Sequence, residues 1–249
     1  MVEKYITVDN GRIWTEKRGK GSLPVILISG GPGSSNYLEP LSFLIDDICE
    51  VIMFDPKGCG RSDYDGNGYD LESCLEDMER IRKEYGFKKW VVIGHSWGAD
   101  LGLAYSLVFP QSILGYVSIS GTGVQNDRDW KDVYNRKKEE IGELKPDFEY
   151  EANVMVHRSL INSWRAFIKK PLLLKDISQL QIPSLFIYAE NDIRPSWSIR
   201  QISRLISNSR YIEIKGAEHY IWLSKKNELG EVLRAFIKTF VKFTSRYDS

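Results

Sequence analysis

The sequence predicts an α/β fold: a mostly parallel sheet with helices on both faces. Three observations predict it. Strand-like and helix-like segments alternate from residue 24 to residue 119, the rhythm that crossover connections impose on a parallel sheet. Residues 24–29 form a continuous apolar run, as a strand covered on both faces must. After a stretch from about 122 to 181 with no strand pattern, the alternation resumes at Ile182.

Taken in order, residues 5–8 and 12–17 flank Asp9-Asn10-Gly11 and read as a hairpin with a tight turn. The apolar run 24–29 ends in Gly30-Gly31-Pro32-Gly33-Ser34-Ser35, followed by a helix-like stretch to about Asp47. Residues 51–54 are the next strand, ending in Asp55-Pro56-Lys57-Gly58-Cys59-Gly60-Arg61-Ser62. From 71 to 85 apolar residues recur at helical spacing, with acids early and bases late. The strand 90–93 follows, then a helix from Ser96 to about Phe109, and a strand over 113–119. Between 122 and 181 two helices are expected, 127–141 and 148–169. They are charged, with Trp130, Tyr134, Phe148, Trp164 and Phe167 interspersed. The expected division is a core of residues 1–121 and 182–249 with 122–181 inserted as a helical cap. Trp130, Tyr134 and Trp164 are candidates to line a pocket beneath that cap. The strand 182–188, a helix 195–206, the strand 210–214 and an amphipathic helix 223–243 complete the chain. The last helix carries Leu229, Val232, Leu233, Phe236, Ile237 and Phe240 on one face.

The 249 residues are 42% hydrophobic and 27% charged, ordinary for a soluble globular protein. Lys+Arg and Asp+Glu both number 34, so global charge favours neither nucleic acid nor an anionic membrane as partner. Cys49, Cys59 and Cys74 lack metal-ligand spacing, and their odd number argues against a disulfide framework. No signal-peptide pattern and no membrane-length apolar run are visible, so a cytoplasmic protein is expected. No dinucleotide-binding glycine motif is present, and no cofactor or metal is implied.

Gly94-His95-Ser96-Trp97-Gly98 sits directly after an apolar strand and before a helix. Gly-x-Ser-x-Gly in that context puts the serine on a sharp strand-to-helix turn, with glycines where a side chain would collide with backbone. Ser96 is therefore the candidate nucleophile. A serine hydroxyl needs a base, and the base needs an acid to fix its tautomer. His95 is beside Ser96 on the turn and would point away from its hydroxyl. His157 falls in the inserted segment, where a surface or rim position is expected. His219 follows the last strand, at the edge where α/β sheets place their chemistry, and is the candidate base. Asp192, after the strand 182–188, is the candidate acid, with Glu190 a weaker one. The oxyanion formed on attack needs backbone donors. The expected ones are the amide of Trp97 and, in the glycine loop, that of Gly31.

These blocks resemble the α/β-hydrolase superfamily, and within it the proline iminopeptidase-like branch. Gly30-Gly31-Pro32-Gly33 resembles that branch's oxyanion loop, residues 55–62 its Asp-Gln-Arg-Gly-x-Gly-x-Ser block, and 94–98 its nucleophile elbow, tryptophan included. Asp192 and His219 fall in blocks similar to its acid and histidine loops. There are departures. Ser29 stands where a histidine usually opens the oxyanion loop, so the loop's support must differ. The insertion is short for an iminopeptidase cap. That cap supplies acids for the substrate's free amine, yet Glu139, Glu140, Glu143, Glu149 and Glu151 are expected to be solvated. The expected activity is hydrolysis of a small ester, thioester or amide, or of a short peptide, through an acyl-enzyme. An iminopeptidase-type aminopeptidase and a non-enzymatic ligand-binding protein on the same fold are the alternatives.

Overall fold

The chain enters the sheet through a hairpin, β1 (Val2–Val8) and β2 (Gly11–Arg18), closed at Asp9 and Asn10 with Asn10 at φ 63°. Asparagine is among the few non-glycine residues that adopt this left-handed conformation readily. The computed structural model describes residues 1–64, 66–125 and 127–244. The remaining strands are β3 (Leu23–Ile28), β4 (Cys49–Phe54), β5 (Trp90–His95), β6 (Ile113–Ile119), β7 (Ser184–Ala189) and β8 (Ser209–Ile214). All eight join in one sheet of order β1-β2-β4-β3-β5-β6-β7-β8. The β1–β2 and β2–β4 pairings are antiparallel and every other pairing is parallel, as expected for a mostly parallel sheet.

The apolar runs are continuous because alternate residues feed two different cores. Ile26, Ile28, Ile52, Phe54, Trp90 and Val92 pack on one face. There they meet α2 (Leu71–Glu84), α3 (Trp97–Val108) and α7 (Trp197–Leu205). Val25, Leu27, Val51, Met53, Val91 and Ile93 pack on the other. That face is covered by the segment around α1 (Glu39–Ser42), by α8 (Ile221–Ser224) and by α9 (Lys226–Thr244). α9 buries Leu229, Leu233, Phe236, Ile237 and Phe240, with Val232 partly buried beside them. No helix among the described residues is long and apolar enough to cross a membrane.

Three local expectations differ from what is observed. The helix expected up to Asp47 is one turn, α1, followed by turns. The Asp46 and Cys49 carbonyls instead accept the Lys20 and Gly21 amides at 2.9 and 3.3 Å, which ties this segment to the β2–β3 loop. The helix expected over 148–169 is α5 (Val154–Phe167). Asn153 starts it late by capping the Met155 and Val156 amides with its side chain. A third helix, α6 (Leu173–Ser178), follows and was not foreseen; it is short and buries only Leu173 and Ile177. α4 (Arg128–Glu140) lies where expected, with the Asp127 carboxylate capping the Trp130 amide.

The topology creates one privileged crevice. From β3 the chain moves to β4 on one side, whereas from β5 it moves to β6 on the other, and β3 and β5 are neighbours. Their carboxyl ends therefore splay into a gap at a topological switch point, where open α/β sheets bind ligands. The Gly30–Ser35 loop leaves β3 at this gap, and Ser96 leaves β5.

Candidate functional site

Ser96 occupies φ 55°, ψ −127°, between the last residue of β5 and the first of α3. A non-glycine residue held there costs about 1–3 kcal/mol and persists only where its surroundings dictate it. The flanking glycines show what does. A Cβ on Gly94 would lie 2.2 Å from the Gly98 carbonyl oxygen, and one on Gly98 would lie 2.2 Å from that of Ile28. The turn is thus wedged against its own helix and against β3. Gly98→Ala is expected to cost at least the roughly 1–3 kcal/mol of an overpacked core. Thermal unfolding followed by circular dichroism would register a lower Tm, and an unchanged Tm would contradict the wedge.

The two candidate partners arrive from neighbouring strands. Asp192 follows β7 and His219 follows β8, and both are buried. His219 Nδ1 donates to Asp192 Oδ2 at 2.6 Å. Nδ1 therefore carries the proton, and in the neutral ring Nε2 presents its lone pair. Among the described residues neither Nε2 nor Ser96 Oγ makes a hydrogen bond, so no direct bond joins Ser96 and His219 in this state. Such bonds are often long without substrate and tighten when it binds. The two loops meet through a neighbouring side chain: the His219 ring centroid lies 4.7 Å from that of His95, the residue before Ser96.

Asp192 is held by more than the histidine. Its Oδ1 accepts the Arg194 amide at 2.9 Å and the Arg194 guanidinium at 3.3 Å. Burial works to raise its pKa, but the charge and hydrogen bond of His219 and the charge of Arg194 outweigh it and hold the carboxyl below its usual range. Arg194 in turn pairs with Glu143 and lies over the Tyr134 ring. Glu143 is thus not the solvated acid expected: its side chain is only 9% exposed. Glu139, Glu140, Glu149 and Glu151 are exposed, as expected. Donor atoms of Glu143, Asp192 and His219 lie within 4.8 Å of one another, a spacing that could hold a cation. The Arg194 guanidinium and the His219 N–H already engage these carboxylates, so the set is explained without a metal. Glu190, the weaker acid candidate, is turned away and bonds Lys215 and the Gly216 amide.

The glycine loop closes over the serine. A Cβ on Gly30 would meet Ser96 Cβ at 2.6 Å. Gly31 and Gly33 stand at φ 61° and 91°, conformations that glycine adopts without penalty. Among the described residues neither the Gly31 nor the Trp97 amide has an acceptor, which leaves both free for an incoming oxygen. The inserted segment sits on this loop. The Asn153 amide donates to the Gly33 carbonyl at 2.8 Å, and His157 Nδ1 donates to that of Pro32 at 2.8 Å.

The aromatic candidates are dispersed. Trp130 is buried, stacks on Tyr134 and donates through Nε1 to the Pro195 carbonyl. Tyr134 underlies Arg194. Trp164 stacks on Phe167 within the hydrophobic core, which accounts for its burial without a ligand. A cavity of about 580 Å³ opens beside His219, walled by Ile141, Leu144 and Ile193 and edged by Glu143, Glu190 and Glu218. Arg194 and Tyr37 were not singled out in the sequence. Arg194 had one available signal, its place two residues after Asp192; Tyr37 had none.

His95 follows from strand parity. Val91, Ile93 and His95 share a face, so the imidazole enters the core beside α8 and points away from Ser96. Burial, reinforced by the charge of His219, pushes its pKa well below the usual value. The sign follows directly. The folded state keeps this ring neutral, while the unfolded chain takes up a proton below about pH 6.5. Stability is complete above that pH and falls as pH drops below it, by up to about 1.4 kcal/mol per pH unit for one group. Denaturant midpoints measured from pH 8 to pH 5 should show this loss, and a flat profile would contradict a neutral buried His95.

Comparisons with known proteins agree with this fold. Residues 24–152 match the family described as the alpha/beta hydrolase fold. The chain is 36% identical over 109 residues to a proline iminopeptidase of Neisseria gonorrhoeae, covering 42% of this chain and 34% of that protein. It is 40% identical over 109 residues to a proline iminopeptidase of Saccharolobus solfataricus, covering 42% and 35%. The matched stretch thus spans about a third of the length of these relatives. Among solved structures, an esterase from Exiguobacterium antarcticum superposes with TM-score 0.77 at 19% identity, over 95% of this chain and 100% of that one. The proline iminopeptidase of Mycobacterium smegmatis gives 0.75 at 16% identity, over 96% and 98%.

Proposed function

Because the chain belongs to the α/β-hydrolase-fold family, we propose that it is a serine hydrolase that cleaves a small ester, thioester or amide through an acyl-enzyme on Ser96. His219 Nε2 takes the Ser96 proton as Oγ attacks the carbonyl carbon, then returns it to the leaving group. Asp192 holds the His219 tautomer and stabilises the imidazolium. The amides of Gly31 and Trp97 hold the oxyanion, and water then hydrolyses the acyl-enzyme by the same steps. Residues 122–181 act as a cap over the crevice, resting on the glycine loop through Asn153 and His157 and on the acid loop through Glu143.

The observation that carries this reading is the strained Ser96 backbone at the switch-point crevice. Such strain persists where it serves an exposed nucleophile. The test is a fluorophosphonate probe, whose phosphorus is attacked by an activated serine with loss of fluoride. Mass spectrometry of the digested protein should find the adduct on Ser96. Folded protein that stays unlabelled would sink the hydrolase reading and favour a ligand-binding protein on the same fold.

The names of the curated relatives favour a second reading, an aminopeptidase removing N-terminal proline. Its need is a carboxylate for the substrate's free amine, and Glu143 is already engaged by Arg194. Comparing a proline arylamide bearing a free amine with its N-acetylated form and with short acyl esters separates the two. Hydrolysis confined to the free-amine substrate would establish the aminopeptidase.

A further inference from the structure

The glycine loop carries a proposed oxyanion donor, yet Ser29 at its start gives it no side-chain support: its hydroxyl is buried without a hydrogen-bond partner among the described residues. Support comes from elsewhere. The Gly30 amide donates to Tyr37 Oη at 2.6 Å, Tyr37 Oη lies 2.8 Å from His95 Nδ1, and His95 Nε2 lies 3.1 Å from the His219 carbonyl oxygen. We propose that Tyr37 and His95 are a pair of positioning residues that tie the oxyanion loop to the loop bearing the base, so that the Gly31 amide and His219 are held in register across Ser96. This inference rests on the serine-hydrolase reading above.

The direction of every bond is fixed by what each atom can do. A carbonyl oxygen only accepts, so His95 Nε2 carries the proton and donates to His219. The ring is buried and neutral, so Nδ1 is an acceptor, and the Tyr37 hydroxyl must donate to it. The Tyr37 oxygen is then free to accept the Gly30 amide. No donor of these three hydrogen bonds competes with another and each of the polar atoms they join is paired, which is the condition under which a buried network rigidifies its surroundings. The rings have little room to turn. Trp222 stacks on Tyr37 and meets His95 edge-on, and Tyr220 packs against both.

The coupling is geometric. Gly30 packs so closely that a Cβ there would lie 2.6 Å from Ser96 Cβ and 2.7 Å from Tyr37 Oη. A displacement of Gly30 therefore carries the adjoining Gly31 amide relative to Ser96. At the other end, His95 Nε2 fixes the backbone of the residue whose side chain is the base. One chain of three hydrogen bonds thus spans both halves of the machinery. It passes behind the nucleophile, on the sheet face that strand parity gives to residue 95.

Tyr37→Phe keeps the ring and removes the oxygen, leaving the Gly30 amide and His95 Nδ1 unpaired. For p-nitrophenyl acetate we expect kcat to fall about ten-fold or more, short of the ~10²–10³ for deleting an oxyanion donor outright. KM should stay within about two-fold, because the loss falls on the transition state. Fluorophosphonate labelling of Ser96 should slow in parallel, and ¹⁵N NMR of His95 should show the Nε2–H tautomer in both proteins, with the Nδ1 resonance shifted in the variant by loss of its hydroxyl donor. Trp222→Phe is the packing control: it loosens the same aromatic cluster and leaves all three hydrogen bonds in place. A Tyr37→Phe variant with native kcat overturns the inference, as does a Trp222→Phe variant with the same kcat loss at the same loss of Tm. Native protein that neither labels nor hydrolyses overturns the hydrolase reading and this inference with it. Native protein that does both, beside an unaltered Tyr37→Phe, overturns the inference alone.

Discussion

Ser96→Ala is expected to lower kcat for an activated p-nitrophenyl ester by about 10⁶-fold, the scale of loss when a triad nucleophile is removed. The expectation is specific because the substitution does little else. Alanine keeps the Cβ, so the backbone strain at φ 55° and the contacts of the wedged turn are unchanged. Ser96 Oγ makes no hydrogen bond among the described residues, so its removal orphans no buried partner. The Tm should therefore hold or rise slightly while turnover collapses. Stopped-flow or plate assays at saturating ester, with Tm measured on the same preparation, separate the two effects. Ester turnover within ten-fold of native in a variant with native Tm would rule out Ser96 as the nucleophile.

That separation of chemistry from stability also explains what the sequence made visible. The strands were legible because parallel strands covered on both faces must be apolar at successive positions, as at residues 24–28. The elbow was legible because backbone collisions at Gly94 and Gly98 leave glycine as the residue that fits. Asp192 and His219 could be named because they follow strands whose carboxyl ends meet at one edge. What stayed hidden has a common cause: it depends on contacts between distant segments. Asp46 and Cys49 give their carbonyls to Lys20 and Gly21 rather than to a longer helix, and no local pattern signals that. Glu143 reads as one acid among several near the end of a charged helix, and only the tertiary fold brings Arg194 against it. Tyr37 is an ordinary aromatic until the fold brings its hydroxyl between the Gly30 amide and His95 Nδ1.

Asp192→Asn is expected to lower kcat by about 10⁴-fold, and the geometry says why an isosteric change should do so. The native carboxylate accepts at both ends, from His219 Nδ1 at Oδ2 and from the Arg194 amide and guanidinium at Oδ1. An asparagine has one accepting end and one donating end. Turning its NH₂ toward Arg194 would oppose two donors, so the oxygen stays with Arg194 and the NH₂ faces His219. Nδ1 must then accept, and the ring proton moves to Nε2, the atom required to receive the proton of Ser96. The protein is left folded with the wrong tautomer. Stability should follow a separate rule. The native carboxyl titrates below the usual range, so its charge stabilises the fold above the unfolded value of about 3.9 and that contribution is lost as pH falls further. The stability gap between native protein and Asp192→Asn should therefore be widest near neutrality and close below about pH 4. Denaturation profiles of the two proteins across pH 3–7, beside kcat at pH 7, test both halves. Turnover within ten-fold of native would show that His219 keeps its tautomer without Asp192.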